Sequence, residues 1–514
     1  MQTQRNIIRI HGKAFLEEKQ GVQIVHLKGD PYERGYQHGA LLADKISEIV
    51  PKGLAGAAAV IAHNTGSAVN EGYRALLAGK IEALQFIPPE FQEEMKGIAD
   101  ALQAAGSATD FDDLVLWNTM YDSWCFYNHP DPGDPGTQFP RHPYPPAKWQ
   151  ASPAPGRLPP ATGHPASDVG KPNAPASGQS ESPHMPGCSS FSAWGPATLN
   201  GKLIFGKNMD NLALPGILEN RILVIADPDH GYGHAFVTHP GMLAIDGGIN
   251  EDGIEMMTHY SPSRNETMRG CGIGTLSRLI LQYAHRIDDA VNMLTVYPRC
   301  TGINYHVADA KTNCAAVIEV SATDAAVRYP EEGRSVLWST NHYNCFPGWK
   351  GYRGPVNMVS QQQAPFQLKD VGTIDKWQQS LQDRTNPHIS GSARFRRYEQ
   401  LLMQHQGAIT VEKGIEILGD RQDPDSGRVR AWDEPIAGRN DGATICALKS
   451  EITFAENAKC YKSEAAICIS AKSGCLWSML AVPGDGDVWI AMTDFPAQGG
   501  PYVYFNLFEE LQRA

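Results

Sequence analysis

A proline-rich tract from His129 to Gly187 divides this chain of 514 residues and constrains what either side of it can build. The tract holds nearly half of the 36 prolines, with Gly, Ser and Ala between them and few large apolar residues. Such a segment cannot bury enough surface to offset its chain entropy, so a disordered, partly polyproline-like linker is expected. An unstructured stretch this long inside a compact unit is unusual unless it has a use. The use suggested here is scission before Cys188, the first residue past the tract. Cys188 would then become a new N-terminal residue, giving both a thiol nucleophile and a freed amine as its base. The cut would let the new terminus stay buried while the old chain end trails away.

Bulk composition narrows the classes. With 42% hydrophobic residues the chain can bury a large core. A net charge of −12 and the lack of a Lys/Arg-rich run argue against nucleic-acid binding. No apolar stretch approaches the roughly 18 residues that a membrane span needs. The start of the chain, MQTQRNIIRIHGKAF, lacks the apolar core of a secretory signal. The ten cysteines, at 125, 188, 271, 300, 314, 345, 446, 460, 468 and 475, form no CxxC pair. That pattern reads as mostly reduced, buried thiols in a cytoplasmic compartment. A Cys460–Cys468 disulfide, or export after loss of a leader, is the alternative that the sequence leaves open.

Read in order, Ile7 to Leu27 gives one or two strands. Asp30-Pro31 then starts a helix, with Gly35 and Gly39 on one face for close packing and His38 as a hydrogen-bonded packing histidine. Val50 to Ala105 is Ala-rich and helical, with a new helix starting at Pro88-Pro89. Asp110 opens another that runs to Tyr127. Residues 1–128 therefore read as a mostly helical segment, 129–187 as the linker and 188–514 as a catalytic unit. Strands are expected at Ser189–Trp194, Leu203–Lys207, Arg221–Ala226, Gly233–Thr238, Leu243–Ile245 and Gly253–His259. Helices are expected at Gly274–His285 and Ile287–Tyr297. Strands return at Asn304–Ala308, Ala315–Val320, Ala325–Tyr329 and Ser335–Thr340. Helices follow at Ser392–Gln404 and Thr410–Leu418. Final strands are expected at Ala443–Lys449, Ala466–Ile469, Leu476–Ala481 and Val488–Met492. Blocks of strands alternating with blocks of helices give an α+β layered class, not a doubly wound parallel sheet.

The candidates for chemistry gather around Cys188. Gly187 removes a side chain from the peptide bond that the thiol would attack. A cysteine in this place is otherwise a small buried hydrophobe. The Asn200-Gly201 turn predicts a hairpin that brings Lys207 and Asp210 beside Cys188. Asp210 could hold the freed amine and Lys207 could lie near the thiol; the bland alternative is a solvated turn with an ion pair. Asn250 reads as a turn residue before a strand. Asn341, at the end of a β-run, could donate to an oxyanion. Arg394 begins a helix and could bind a carboxylate or tune the thiol, with Arg397 the surface residue of the pair.

These segments resemble those of choloylglycine hydrolases and penicillin V acylases. LIFGKNMDN resembles their (F)GRNMD segment, INEDGI their MNEKGL-type turn, STNHY their TN dipeptide and SARFRR their SRF-R segment, in the same order after a cysteine. DPYERGYQHG resembles the acyl-CoA:isopenicillin-N acyltransferase family, whose precursors cut themselves before the cysteine. The resemblance implies the N-terminal-nucleophile fold, an αββα four-layer sandwich. It also implies Cys188 as nucleophile after cleavage between Gly187 and Cys188, Asp210 as the carboxylate that holds the α-amine, Asn341 as the oxyanion-hole amide and Arg394 as the arginine near the thiol. Lys207 falls where an arginine is usual, which keeps the charge and loses the fork. Tyr260 or His259 falls at the second oxyanion position.

The expected activity is hydrolysis of linear amides, or transfer of their acyl group, with no metal or organic cofactor. The expected partner is a small-molecule N-acyl amide, with no nucleic acid, no membrane span and a homo-oligomer of cleaved heterodimers. Rival readings are a phospholipase-B-like or ester hydrolase with the same nucleophile, and an inactive ligand-binding relative. A metal or sensory protein is a third, which the absence of HExxH and CxxC spacings disfavours.

Overall fold

A computed structural model describes residues 5–127, 187–261, 266–322, 325–344, 356–358, 389–424, 426–435, 444–446 and 448–513, with the backbone alone for 356–358, 389–390 and 392. The expected linker lies outside the described residues, apart from Gly187.

The N-terminal part opens with three strands, β1 (Arg5–His11), β2 (Ala14–Lys19) and β3 (Val22–Gly29). Four helices follow: α1 (Pro31–Thr65), α2 (Val69–Leu84), α3 (Pro89–Ala104) and α4 (Phe111–Phe126). Their ends follow from local chemistry. The Asp30 carboxylate accepts from the Glu33 N–H at 2.8 Å with Pro31 in the first turn, and α1 stops at Gly66, whose φ of 65° suits a residue without Cβ. Asp110 and Asp113 form a reciprocal capping box on α4. Gly35 and Gly39 let α1 lie directly on α3. A Cβ at Gly35 would sit 1.9 Å from the Glu94 carbonyl oxygen, and one at Gly39 would sit 2.7 Å from that of Ile98. His38 is the expected packing residue, its Nε2 accepting from the Gly241 N–H at 3.0 Å.

Two sheets make the centre. Among the described residues the first has eleven strands, in the order β1-β2-β3-β6-β7-β8-β9-β10-β11-β12-β14. Its later members are β6 (Ile222–Pro228), β7 (His234–Thr238), β8 (Gly247–Asn250), β9 (Ile254–Tyr260), β10 (Ile303–Asp309), β11 (Cys314–Val320), β12 (Ala325–Arg328) and β14 (Val356–Met358). All its pairings are antiparallel except β3 with β6. The second sheet runs β13-β4-β5-β16-β17-β18, with β15 also on β16. Its strands are β4 (Ser189–Gly195), β5 (Gly201–Leu212), β13 (Val336–Ser339), β15 (Lys449–Lys459), β16 (Ala466–Val482), β17 (Asp487–Ala491) and β18 (Val503–Asn506).

The sheets face each other. From β10, His306 reaches across to Ser190 Oγ at 2.7 Å and Ser192 Oγ at 2.9 Å, and its ring packs on Phe205. Outside the first sheet lie α1, α5 (Ile273–Tyr283) and α6 (Ile287–Val296); outside the second lie α7 (Ile389–Gln404) and α8 (Val411–Leu418). A short α9 (Leu507–Leu511) closes the chain. The order of layers is helix, sheet, sheet, helix, the expected α+β sandwich. Among the described residues no helix is long and apolar enough to cross a membrane.

Some strand expectations need correction, beginning with Ile7–Leu27, read as one or two strands, which holds three, β1 to β3. Leu243–Ile245 is coil, because Leu243 and Ala244 give their N–H groups to the Asn118 side chain and not to a ladder. Residues 444–446 are likewise not a strand, and pairing starts only at Lys449. Ala466–Ile469 and Leu476–Ala481 belong to one long strand, β16. Cys460 and Cys468 are free thiols, as are the other described cysteines.

Candidate active site

The hairpin expected at Asn200-Gly201 forms. Asn200 Oδ1 accepts from the Lys202 N–H at 3.1 Å, Gly201 adopts φ 75°, and β4 pairs antiparallel with β5. Its register sets Ser189 opposite Asn208 and Ser190 opposite Lys207. Cys188, one residue before β4, therefore meets Met209 and Asp210. Its Sγ lies 3.2 Å from Met209 Sδ and 3.8 Å from the Asp210 carbonyl oxygen.

Arg394 comes from α7, on the outer layer, and is buried. Its Nη1 donates to the Cys188 carbonyl oxygen at 2.7 Å and its Nη2 to Asn341 Oδ1 at 2.9 Å. Asn341, just past β13, uses its Nδ2 to donate to the Tyr260 carbonyl oxygen at 2.8 Å. Gly187 rests against both side chains, with no space for a Cβ between them. Residues from β4, β5, α7 and the loop after β13 thus converge on the Gly187–Cys188 junction.

Electrostatics differ among the members. Burial pushes the Cys188 thiol up to about 11, with Lys207 acting in the opposite direction. Burial also pushes the Asp210 carboxyl up to about 7, opposed by Arg394, a hydrogen bond from Cys475, Lys449 and Lys207. Asp210 Oδ1 is buried without a hydrogen-bond partner. A buried carboxylate oxygen left unmatched is costly and is a ready acceptor for a cation.

Lys207 is fully buried. Its Nζ donates to the Asp246 carbonyl oxygen at 2.6 Å and lies 5.1 Å from the centre of the Trp477 ring. Tyr260 is less direct. Its hydroxyl donates to the Cys125 carbonyl oxygen at 3.2 Å, and what it offers Asn341 is its own backbone oxygen. His259 is buried on the other side of the same strand, with Nδ1 3.3 Å from the Asn304 carbonyl oxygen and Nε2 unpartnered. Arg397 is not the surface residue expected. It is largely buried and binds both carboxylate oxygens of Asp420 at 2.8 Å. Asn250 is the expected turn residue, accepting from Asp252 and Ile254.

Sequence reasoning missed Met209, Asp246, Cys475 and Trp477. The last two reach the site only through the β5–β16 register, from a strand far away in the chain, and no local signal marks them. One described group, Glu17, His26 and Glu510, is close enough to hold a metal ion. Its carboxylates already bind Arg5 and Arg513, so a cation there would displace two guanidiniums.

Two facing sheets between helical layers, with a cysteine leading an inner strand, are the arrangement that the resemblance to N-terminal-nucleophile hydrolases implies. The family that matches residues 197–458 is described as acyl-coenzyme A:6-aminopenicillanic acid acyl-transferase. The match covers just over half of the chain, and the chain belongs to that family. An uncharacterized protein of Archaeoglobus fulgidus is 25% identical over 419 residues, covering 79% of this chain and 59% of its own length. Protein dcd1B of Dictyostelium discoideum is 24% identical over 310 residues, covering 59% and 51%. The chain thus spans only between half and three-fifths of these relatives. Among solved structures, a mutant of the conjugated bile acid hydrolase from Clostridium perfringens aligns at TM-score 0.34 and 11% identity, covering 63% of this chain and 93% of that one. The Caenorhabditis elegans ortholog of N-acylethanolamine-hydrolyzing acid amidase aligns at TM-score 0.33 and 14% identity, covering 58% and 93%.

Proposed function

We propose that this protein is a self-cleaving cysteine amidase or acyltransferase acting on the C–N bond of linear N-acyl compounds. The observation that carries the reading is the unmatched, buried Oδ1 of Asp210, a residue whose backbone carbonyl oxygen lies 3.8 Å from Cys188 Sγ. An ammonium freed at Cys188 supplies the donors that this oxygen lacks.

Two stages follow. In the first, Cys188 Sγ adds to the Gly187 carbonyl carbon and the C–N bond breaks. The acyl group moves to sulfur, and the nitrogen becomes the free amine. Water then hydrolyses the thioester, leaving a Gly187 carboxylate and the new terminus. The site suits this step because Arg394 fixes the Cys188 carbonyl and Asn341 borders Gly187. In the second stage the α-amine takes the thiol proton, and the thiolate adds to a substrate amide carbonyl. Asn341 Nδ2 and nearby backbone N–H groups stabilise the oxyanion, a contribution worth roughly a hundredfold or more in rate. The ammonium, held by Asp210, gives its proton to the leaving amine. Water, or a second amine, takes the acyl group from sulfur. The thiol is mostly protonated in the uncut chain, so the amine released by cleavage is the base that switches the enzyme on.

A panel of N-acyl amino acids, phospholipids and simple esters tests the reaction class. Turnover of the amides, lost in Cys188→Ala, is the expected result. Turnover confined to phospholipids or esters overturns the assignment in favour of an ester hydrolase with the same nucleophile.

A further inference from the structure

We infer that Trp477 is a positioning residue, its indole face fixing the Lys207 ammonium on the strand that pairs with the one Cys188 leads into. The inference rests on the reading of Cys188 as nucleophile. A lysine carries a point charge on a flexible stem and has no planar fork to hold it in one direction. Lys207 is nevertheless buried completely, so its charge needs a complete setting. The Asp246 carbonyl supplies one contact, at 2.6 Å. The Trp477 ring, 3% exposed, supplies a face 5.1 Å from Nζ. An aromatic face at this distance attracts an ammonium, more strongly when water is excluded.

The backbone shows how Trp477 comes to be there. Along β16, Cys475 lies opposite Asp210 and Trp477 opposite Met209, so one extra residue, Leu476, is taken up between them. A bulge of this kind re-aims the side chains around it. Here it puts two β16 side chains on the machinery of β5: the Cys475 thiol against the Asp210 carboxylate and the Trp477 ring over Lys207. The Cys475 sulfur also lies 3.1 Å from the Trp477 carbonyl oxygen, within the bulge. Without the bulge, alternation along the strand would turn one of the two residues away.

The test is graded fluorination of the indole at position 477 alone in the cleaved enzyme. Fluorination keeps the ring's shape and weakens its attraction for a cation. The readout is the pH dependence of Cys188 alkylation by iodoacetamide, compared with the acid limb of kcat/KM. The thiol pKa should rise stepwise with fluorine content, by about half a unit or more at full substitution. Trp477→Leu should shift it at least as far, and neither change should matter in a Lys207→Gln background. A flat fluorine series in an active enzyme overturns the inference, as does a series that persists without Lys207. Failure of the underlying reading looks different: alkylation of Cys188 would then leave activity intact.

Discussion

Gly187 lies so close to Asn341 that a Cβ on residue 187 would fall 1.8 Å from Asn341 Oδ1. The same atom would fall 2.3 Å from Arg394 Nη2. The contact joins the bond proposed for cleavage with the amide proposed for the oxyanion hole. Gly187→Ala should therefore disturb cleavage before anything else. Overpacking of this sort costs about 1–3 kcal/mol, so cutting should slow by about five- to 150-fold. A time course of precursor and product on a denaturing gel measures it. Wild-type cutting in Gly187→Ala would contradict the arrangement.

Arg394 spans two acceptors, the Cys188 carbonyl oxygen and Asn341 Oδ1. Arg394→Ala strips one partner from each of these oxygens, at about 1–3 kcal/mol for each one left unsatisfied. Arg394→Lys reaches one acceptor at a time and should recover part of the loss. Urea midpoints and cutting rates of both variants check this. Equal behaviour of Lys and Arg at 394 would argue against a forked contact.

In the uncut chain Asp210 is raised to about 7, chiefly by burial. A raised carboxyl means that the folded state holds a proton which the unfolded state has released. Stability from this position is therefore lost as pH rises from about 4 to about 7. In a Cys188→Ala background, which keeps the chain whole, Asp210→Asn should gain on its parent across that window. The gain should reach up to about 4 kcal/mol at pH 8. Denaturant unfolding at pH 4 and pH 8 reads the difference, and a constant gap would contradict it.

His38 carries the opposite sign. Burial pulls it down to about 4, and its neutral Nε2 accepts from Gly241. The unfolded ring binds a proton below pH 6.5 and the folded one does not, so stability falls as pH drops through that range. His38→Gln keeps an acceptor that does not titrate. Between pH 7 and pH 5 it should gain about 2 kcal/mol on wild type. An unchanged gap in unfolding free energy would show that His38 is not held neutral.

Much of the local structure could be read from the sequence because its causes are local. Asp30-Pro31 and Asp110 start helices by capping, and Asn200-Gly201 turns a hairpin, wherever they occur. That hairpin alone brings Asp210 to Cys188 and sets Lys207 opposite Ser190. Asn341 and Arg394 could be singled out by residue type and place in their elements, but not their meeting, since nothing local says that the loop after β13 meets α7. The β15–β16 pair was missed or split for a different reason. Most of β15 is exposed, so it shows no apolar alternation, and Lys472-Ser473-Gly474 inside β16 looks like a turn. The bulge at 475–477 was invisible because it exists only relative to β5.

The central claim is that the chain is cut so that the second piece begins with Cys188. Intact-mass and N-terminal analysis of the purified protein tests it most directly. The account predicts two chains, the second starting CSSFSAWG, and a single uncut chain for Cys188→Ala. A fully active wild-type protein made only of uncut chains would contradict it.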